Sequence, residues 1–411
     1  MKNRKERTTS YNKFMFNIKI FILINIMATP DFFPNIVIDL GSSTIKVGYN
    51  EESCPRLVIP NVWGTSKKNL INIIGEEDKV YYGNEALLNC PNLDLTYYQG
   101  EHNGKYPTEG KDNDYFEGMF KYIFEQLKAK PTEYKIFIID SLFTTDKERD
   151  ALAKILFEKY CVSQIHIEPQ SVIALYSTAK QSGIIVDSGE IYTSIVPIYE
   201  GYVIPNAVIT SPIAGRELTK QFMKYHKADL DSNNVCAQYE MSRQIKEKAI
   251  EILLDPNDEG KRGKEKINFL LPDGNIIEIG DERFNIGELM FDPSYLGGGD
   301  MKGVHELIME SIEKLDMNIR SELLNNIIIG GGNSLIKGFE ERLKKELEVL
   351  VAKSIYAKNT VKIHSHDEMK YMAWAGASGI CSIGKFRDKW ISKNEYDENG
   401  PSCLEQNYIF A

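Results

Sequence analysis

The apolar positions of this chain fall into short runs and helical stripes that alternate, and the alternation begins twice. Ile36, Val37 and Ile38 form an apolar run that enters Asp39-Leu40-Gly41, leaves through Ser42, Ser43 and Thr44, and becomes apolar again at Ile45. Two such runs around a glycine turn predict a tight hairpin with small polar groups at its tip. Polar, poorly periodic sequence follows over 60–106, the mark of a small inserted lobe. Phe116, Met119, Phe120, Ile123 and Leu127 then recur at i, i+3, i+4, i+7 and i+11, the spacing of an amphipathic helix. The run 136–139 reads as a buried strand, Thr145 with Glu148 as a capping box opening a helix over 149–160, and 164–167 as the next strand.

The same order restarts at Ile184. Ile184, Ile185 and Val186 enter Asp187-Ser188-Gly189, and after Glu190, Ile191, Tyr192, Thr193 and Ser194 the chain is apolar again at Ile195 and Val196. Helices are predicted near 217–225 and 239–254, followed by a polar insert with a hairpin at Leu271-Pro272-Asp273-Gly274-Asn275. A helix over 304–315, a strand over 326–329, a glycine turn and a helix from about Gly338 complete the series. Strands alternating with helices predict α/β sheets covered by helices. Two similar α/β lobes, each with a smaller inserted subdomain, imply a cleft between them in which a nucleotide sits near strand ends. The boundaries this predicts are 34–60, 106–177 and 372–411 for the first lobe and 61–105 for its insert. The second lobe takes 178–213 and 299–371, with 214–298 as its insert.

Composition narrows the function classes. At 411 residues the chain is too long for one core. Its net charge of -10 argues against a nucleic-acid groove as the main business, so no sequence-specific nucleic-acid binding is expected. The six cysteines include no Cys-x-x-Cys pair and no His at ligand spacing, which favours reduced thiols over zinc or disulfides. Residues 1–33 stand apart: the first thirty carry six Lys or Arg against one Glu and an apolar run over 14–27. Lys19 and two asparagines interrupt that run, which is too short to span a bilayer. The segment reads as a poorly ordered extension, or as sequence upstream of a start at Met27, and no membrane association is expected.

The two hairpins carry the candidate chemistry. Facing one another, they can grip a phosphate chain through backbone N–H groups and hydroxyls, while Asp39 and Asp187 hold a hydrated Mg2+. Gly41 permits close approach, Ser42 and Ser43 offer hydroxyls, and Lys46 reaches phosphate oxygens. A third element, Ile327-Ile328-Ile329-Gly330-Gly331-Gly332-Asn333-Ser334, ends a strand in three glycines and brings bare backbone against a flat ligand or a phosphate.

With these come further blocks: Val196-Pro197-Ile198-Tyr199-Glu200-Gly201-Tyr202, Ala214-Gly215-Arg216-Glu217-Leu218-Thr219, Ile245-Lys246-Glu247-Lys248, Leu271-Pro272-Asp273-Gly274 and Trp390-Ile391-Ser392-Lys393-Asn394-Glu395-Tyr396-Asp397. Together they cover nearly all of 35–402, and the chain resembles actin and the actin-related proteins, within the superfamily that includes Hsp70 and sugar kinases. The resemblance implies an actin-like fold that binds ATP or ADP with Mg2+ or Ca2+. Asp39 and Asp187 would hold the metal through water, with Gly41, Ser42, Ser43 and Lys46 on one side of the phosphates and Ser188 and Gly189 on the other. Arg243, Lys246, Glu247, Gly331, Gly332 and Lys370 match positions around ribose and adenine, and Gln170 matches the glutamine that orients the attacking water.

Departures from actin modify that implication. Actins continue the second hairpin as Asp-Ser-Gly-Asp-Gly, whereas this chain reads Asp187-Ser188-Gly189-Glu190-Ile191, and Ser194 stands where actins carry a histidine that helps order the water. A β-branched residue at 191 lacks the freedom of glycine, so tight binding with slow or absent turnover is the expected consequence. The loop Gly297-Gly298-Gly299-Asp300 is more polar than its actin counterpart, which weakens a filament contact. The segment 63–78 shares little with actin, and extra residues surround His102. Blocks such as Thr210-Ser211-Pro212-Ile213-Ala214-Gly215 and Gly331-Gly332-Asn333-Ser334-Leu335-Ile336 are closer to the nuclear, chromatin-associated actin-related proteins. The expected partners are actin and a helical segment of a large remodeller or scaffold subunit, in nucleus and/or cytoplasm; the alternative is a cytoskeletal, filament-forming ATPase.

Overall fold

Seventeen strands are seen among the described residues, in chain order β1 (Asn35–Leu40), β2 (Thr44–Tyr49), β3 (Leu57–Pro60), β4 (Val62–Ser66), β5 (Val80–Tyr82), β6 (Leu93–Tyr97), β7 (Lys135–Asp140), β8 (Gln164–Pro169), β9 (Gly183–Ser188), β10 (Thr193–Tyr199), β11 (Tyr202–Val203), β12 (Ile209–Ser211), β13 (Ile267–Leu270), β14 (Ile276–Ile279), β15 (Ile327–Gly330), β16 (Ile363–His364) and β17 (Ile391–Ser392). The structure is a computed structural model that describes residues 35–66, 79–97, 111–141, 144–227, 235–296 and 301–406, apart from 259, 265, 272, 273, 357, 366, 367, 382–385, 387 and 388. The extension 1–33, the residues around His102, the 297–300 loop, the Pro272-Asp273 turn and most of 63–78 therefore lie outside the described residues. Two compact units result, Met1–Lys180 with Tyr371–Ala411, and Gln181–Lys370.

In the first unit six strands form one sheet in the order β17-β8-β7-β1-β2-β3. β1 runs antiparallel to β2 and parallel to β7, and β7 runs parallel to β8. Every residue of β1 is buried, which fits the apolar run Ile36-Val37-Ile38 at its centre, flanked by Asn35 and Asp39. β5, β4 and β6 make a separate three-stranded antiparallel sheet. The stripe predicted at Phe116, Met119, Phe120, Ile123 and Leu127 is buried on the helix Lys111–Leu127. The predicted capping box is present, since Glu148 Oε2 accepts from Thr145 N at 2.5 Å and from Thr145 Oγ1 at 2.7 Å. That cap starts the helix at Asp146, three residues before the expected 149, and the helix becomes a π turn over Ile155–Lys159. On β1, Trp374 of the helix Met372–Cys381 donates its indole N–H to Val37 O at 3.1 Å.

The second unit repeats the arrangement. Its sheet has the order β11-β10-β9-β15-β16, with β12 also paired to β10. β9 is antiparallel to β10 and parallel to β15, as β1 is to β2 and β7. Helices Gly215–Tyr225, Val304–Glu313 and Phe339–Lys353 contribute Leu218, Phe222, Ile308, Ile312, Leu343 and Leu347 to one apolar core. The helix expected to reach 254 stops at Ala249. Beyond it Ile252 N donates to Lys337 O at 2.8 Å and Glu251 bridges Lys337, so Ile250, Ile252 and Leu253 are buried in extended chain rather than along a helix face.

Candidate functional site

The first hairpin sets Asp39 directly opposite Lys46 in the β1–β2 register. Both side chains are buried, and Lys46 Nζ lies 3.0 Å from Asp39 Oδ2. Pairing makes burial of the two charges tolerable, and loss of either would strand the other. At Gly41 a Cβ would stand 2.6 Å from the Thr44 carbonyl oxygen and 2.7 Å from Lys46 Nζ, so the ammonium occupies the space that glycine leaves. Ser42 and Ser43 sit half-exposed at the tip. Asn61 fixes that tip, donating from Nδ2 to Gly41 O and from N to Ser43 O, both at 2.9 Å, while the Tyr115 hydroxyl donates to Asn61 Oδ1. The sequence reading missed Asn61, whose only local signal is a lone amide between two strands.

Gln170 opens the helix Gln170–Ser177 directly after β8, two strands away from β1. At the end of the intervening β7 is Asp140, buried and 2.8 Å from Arg149 Nε. Burial pushes the Asp140 carboxyl up to about 6 even though the Arg149 guanidinium pulls it down.

In the second unit Asp187 pairs across β9–β10 with Ser194, and across β9–β15 with Gly330. Where the first hairpin has a lysine opposite its aspartate, this one has a buried serine hydroxyl. A directed chain of hydrogen bonds holds its tip. Thr193 Oγ1 donates to Ile213 O at 2.7 Å, so the 2.7 Å contact between the two hydroxyls is donated by Ser188. Asn333 completes the chain, its Nδ2 reaching Ser188 Oγ at 3.1 Å and Gly189 O at 2.7 Å. Gly331 has φ 82 and ψ 168, a region open essentially to glycine, and its Cβ would lie 2.6 Å from the Ser188 carbonyl carbon. Gly332 differs: it is exposed, and a Cβ there would meet no protein atom within 4 Å.

The helix Gly215–Tyr225 closes on the same turn, with Gly215 N donating to Gly189 O at 3.0 Å and Arg216 N to Glu190 O at 2.7 Å. Lys246 is buried and donates from Nζ to Gly215 O at 2.8 Å. Burial holds its ammonium below the usual lysine range, opposed by Glu190 and Glu247. The Tyr239 hydroxyl donates to the Glu190 carboxylate, which ties the position after Gly189 to the helix Val235–Ala249. On that helix Arg243 donates to Glu247 Oε1 at 2.8 Å and to Glu240 Oε2 at 2.8 Å. Lys370 lies half-buried in the turn Met369–Tyr371. Ile191 is half-buried with a φ outside the left-handed region, so its side chain is accommodated without backbone strain.

A model of the actin family matches residues 31–408. The chain belongs to the actin family. Members of that family generally bind ATP or ADP with a divalent metal. Gly332 presents backbone with open space above it, and the Lys46 ammonium sits between Gly41 and the Asp39 carboxylate. Asp39 and Asp187 are single carboxylates in separate units, and no three ligating side chains cluster among the described residues. A hard cation at either carboxylate would retain several waters. Among the described residues no helix is long and apolar enough to cross a membrane.

Proposed function

We propose that this actin-family chain holds ATP with a hydrated divalent cation, turns it over slowly or not at all, and serves as a structural subunit of a nuclear chromatin-remodelling or histone-acetyltransferase assembly. The observation that carries the slow turnover is the pairing of Asp187 with a buried Ser194, beside Ile191, in the hairpin where actins carry histidine and glycine. Phosphoryl transfer depends mostly on positioning and electrostatics, and a serine hydroxyl opposite Asp187 supplies no imidazole to order a water. Gly41, Ser42, Ser43 and Lys46, with Ser188 and Gly189, would hold the phosphates. Arg243, Lys246, Glu247, Gly331, Gly332 and Lys370 would border the ribose and base. Bound Mg2+ would neutralise phosphate charge through waters on Asp39 and Asp187.

Actin and a helical segment of a larger subunit are the partners this reading favours, on the strength of the Gly331-Gly332-Asn333-Ser334-Leu335-Ile336 block. Purification of the native complex from nuclei and cytoplasm, with identification of its subunits, tests it. Recovery with actin and a remodeller subunit is expected, and recovery in cytoplasmic filaments alone would overturn it. A second reading, a filament-forming ATPase, draws on Gln170 at the start of its helix. Cooperative polymerisation of the purified chain above a critical concentration, with phosphate release, would select that reading.

A further inference from the structure

β8 carries two ionisable side chains that nucleotide binding leaves unused. His166 and Glu168 are each 1% exposed and stand two residues apart, hence on one face of the strand, just before Pro169 and Gln170. The His166 ring is walled by Phe137, Phe386 and Trp390, with centroids 5.0, 4.8 and 6.4 Å away. Both of its nitrogens are engaged. Nδ1 lies 2.9 Å from the Lys389 carbonyl oxygen and Nε2 lies 2.9 Å from Glu168 Oε2.

Hydrogen-bond accounting fixes the protons. A carbonyl oxygen only accepts, so Nδ1 carries a hydrogen. Nε2 can then meet the Glu168 carboxyl only across a proton, carried either by the ring or by the acid. Without it, two lone pairs would face each other in a dry aromatic pocket, at the cost of burying unpaired polar groups.

The contact joins distant parts of the first unit. Lys389 directly precedes Trp390 and β17, which pairs Ile391 with Ile165 of β8, so the C-terminal segment is fastened to β8 by a ladder and by the imidazole. The helix Gln170–Ser177 follows at once, has Pro169 at its N-cap, and has no side-chain cap there. Its start is therefore set by the end of β8. Ile139 is in register with Glu168, and Asp39 with Ile139, so the face that carries the pair also carries the Asp39–Lys46 ion pair. Of the charged groups around the pair, Lys135 of β7 has its Nζ 5.4 Å from the Trp390 ring, and Asp140 at the end of β7 feels the charge of Glu168.

We propose that His166 and Glu168 form a proton-bridged latch that fixes the end of β8 to the C-terminal segment at Lys389 and so positions Gln170. The consequence for Gln170 rests on the functional reading above; the latch does not. Two variants of the full chain separate donor from bulk: Glu168→Gln keeps an N–H for Nε2, whereas Glu168→Met keeps the volume and removes it. Hydrogen exchange over residues 164–177 is expected to rise about tenfold in the methionine variant and to stay at the wild-type level in the glutamine variant. ATP affinity is expected to remain within about twofold in both, because neither residue touches the nucleotide groups. Equal exchange in the two variants would overturn the latch. If the methionine variant does not fold, the 15N signature of His166 in the wild-type protein decides. A hydrogen on Nδ1 with Nε2 in a strong hydrogen bond supports the latch, and a ring carrying hydrogen on Nε2 alone refutes it. Raised exchange with unchanged phosphate release would leave the latch standing and count against Gln170 as the water-positioning group.

Discussion

The two hairpins share a topology and differ in what holds them. In β1–β2 the aspartate faces a lysine across the ladder, and the two form a buried ion pair 3.0 Å apart. In β9–β10 the aspartate faces a serine; Asn333 ties down the tip as Asn61 does in the first hairpin, and a neutral chain continues from it through Ser188 and Thr193 to the Ile213 carbonyl. The first hairpin carries its own cation. The second borrows its order from a glycine turn far along the chain and from the N-terminus of the helix at Gly215. Changes in the first should therefore act through charge, and changes in the second through shape.

Lys46→Met is the largest test of that contrast. It leaves Asp39 buried without a partner, and a loss of about 3–5 kcal/mol in unfolding free energy is expected, read from denaturant midpoints. The double variant Asp39→Asn/Lys46→Met should recover about half of that loss, because no uncompensated charge remains. Asp187→Ala, at the matching position, removes a half-exposed carboxylate with no lysine opposite. Its stability should change by less than about 1 kcal/mol while ATP affinity falls by about 2–3 kcal/mol, measured by calorimetry. Similar stability losses at both positions would erase the distinction between the hairpins.

Gly331→Ala and Gly332→Ala split stability from binding inside the second hairpin's support. At 331 the backbone conformation and the Ser188 carbonyl exclude a methyl group, so a loss of about 3 kcal/mol is expected. At 332 a methyl meets open space, so stability should hold within about 0.5 kcal/mol. ATP affinity should nevertheless drop about tenfold at 332, worth about 1.4 kcal/mol, if bare backbone there approaches the nucleotide. Unchanged affinity in Gly332→Ala would remove that residue from the site.

How much of this was legible in the sequence follows from distance along the chain. The hairpins and the stripe at Phe116 to Leu127 announce themselves locally, because runs, turns and helical spacing are properties of neighbours. The supports do not. Asn333 reaches Ser188 across 145 positions and His166 reaches Lys389 across 223, and neither residue carries a local mark of its partner. The helix expected to run to 254 failed for the same reason. Its last turn is displaced by a bridge to Lys337 and an ion pair between Glu251 and Lys337 at 2.9 Å, 86 positions apart. What the Asp-x-Gly pattern conveyed was two similar turns, and what it concealed was that an asparagine ties down each while only the first sets a cation opposite its aspartate.

The smallest expected effect falls on Ile191. Its side chain is half-buried and its φ is ordinary, so Ile191→Gly gives up a modest apolar contact and some backbone entropy, a loss of about 1 kcal/mol at most. ATP affinity should be unchanged, since neither Lys46 nor the turn at Ser188, proposed above as phosphate contacts, is altered. Turnover is the informative readout. If the β-branched side chain alone blunts the second hairpin, phosphate release from the saturated protein should rise severalfold. If release moves only when Ser194→His is added, the residue opposite Asp187 is the controlling one, because that substitution places an imidazole where the first hairpin has its lysine. No rise in either variant would mean that the second hairpin does not limit turnover, and the contrast between the two turns would then concern stability and binding alone.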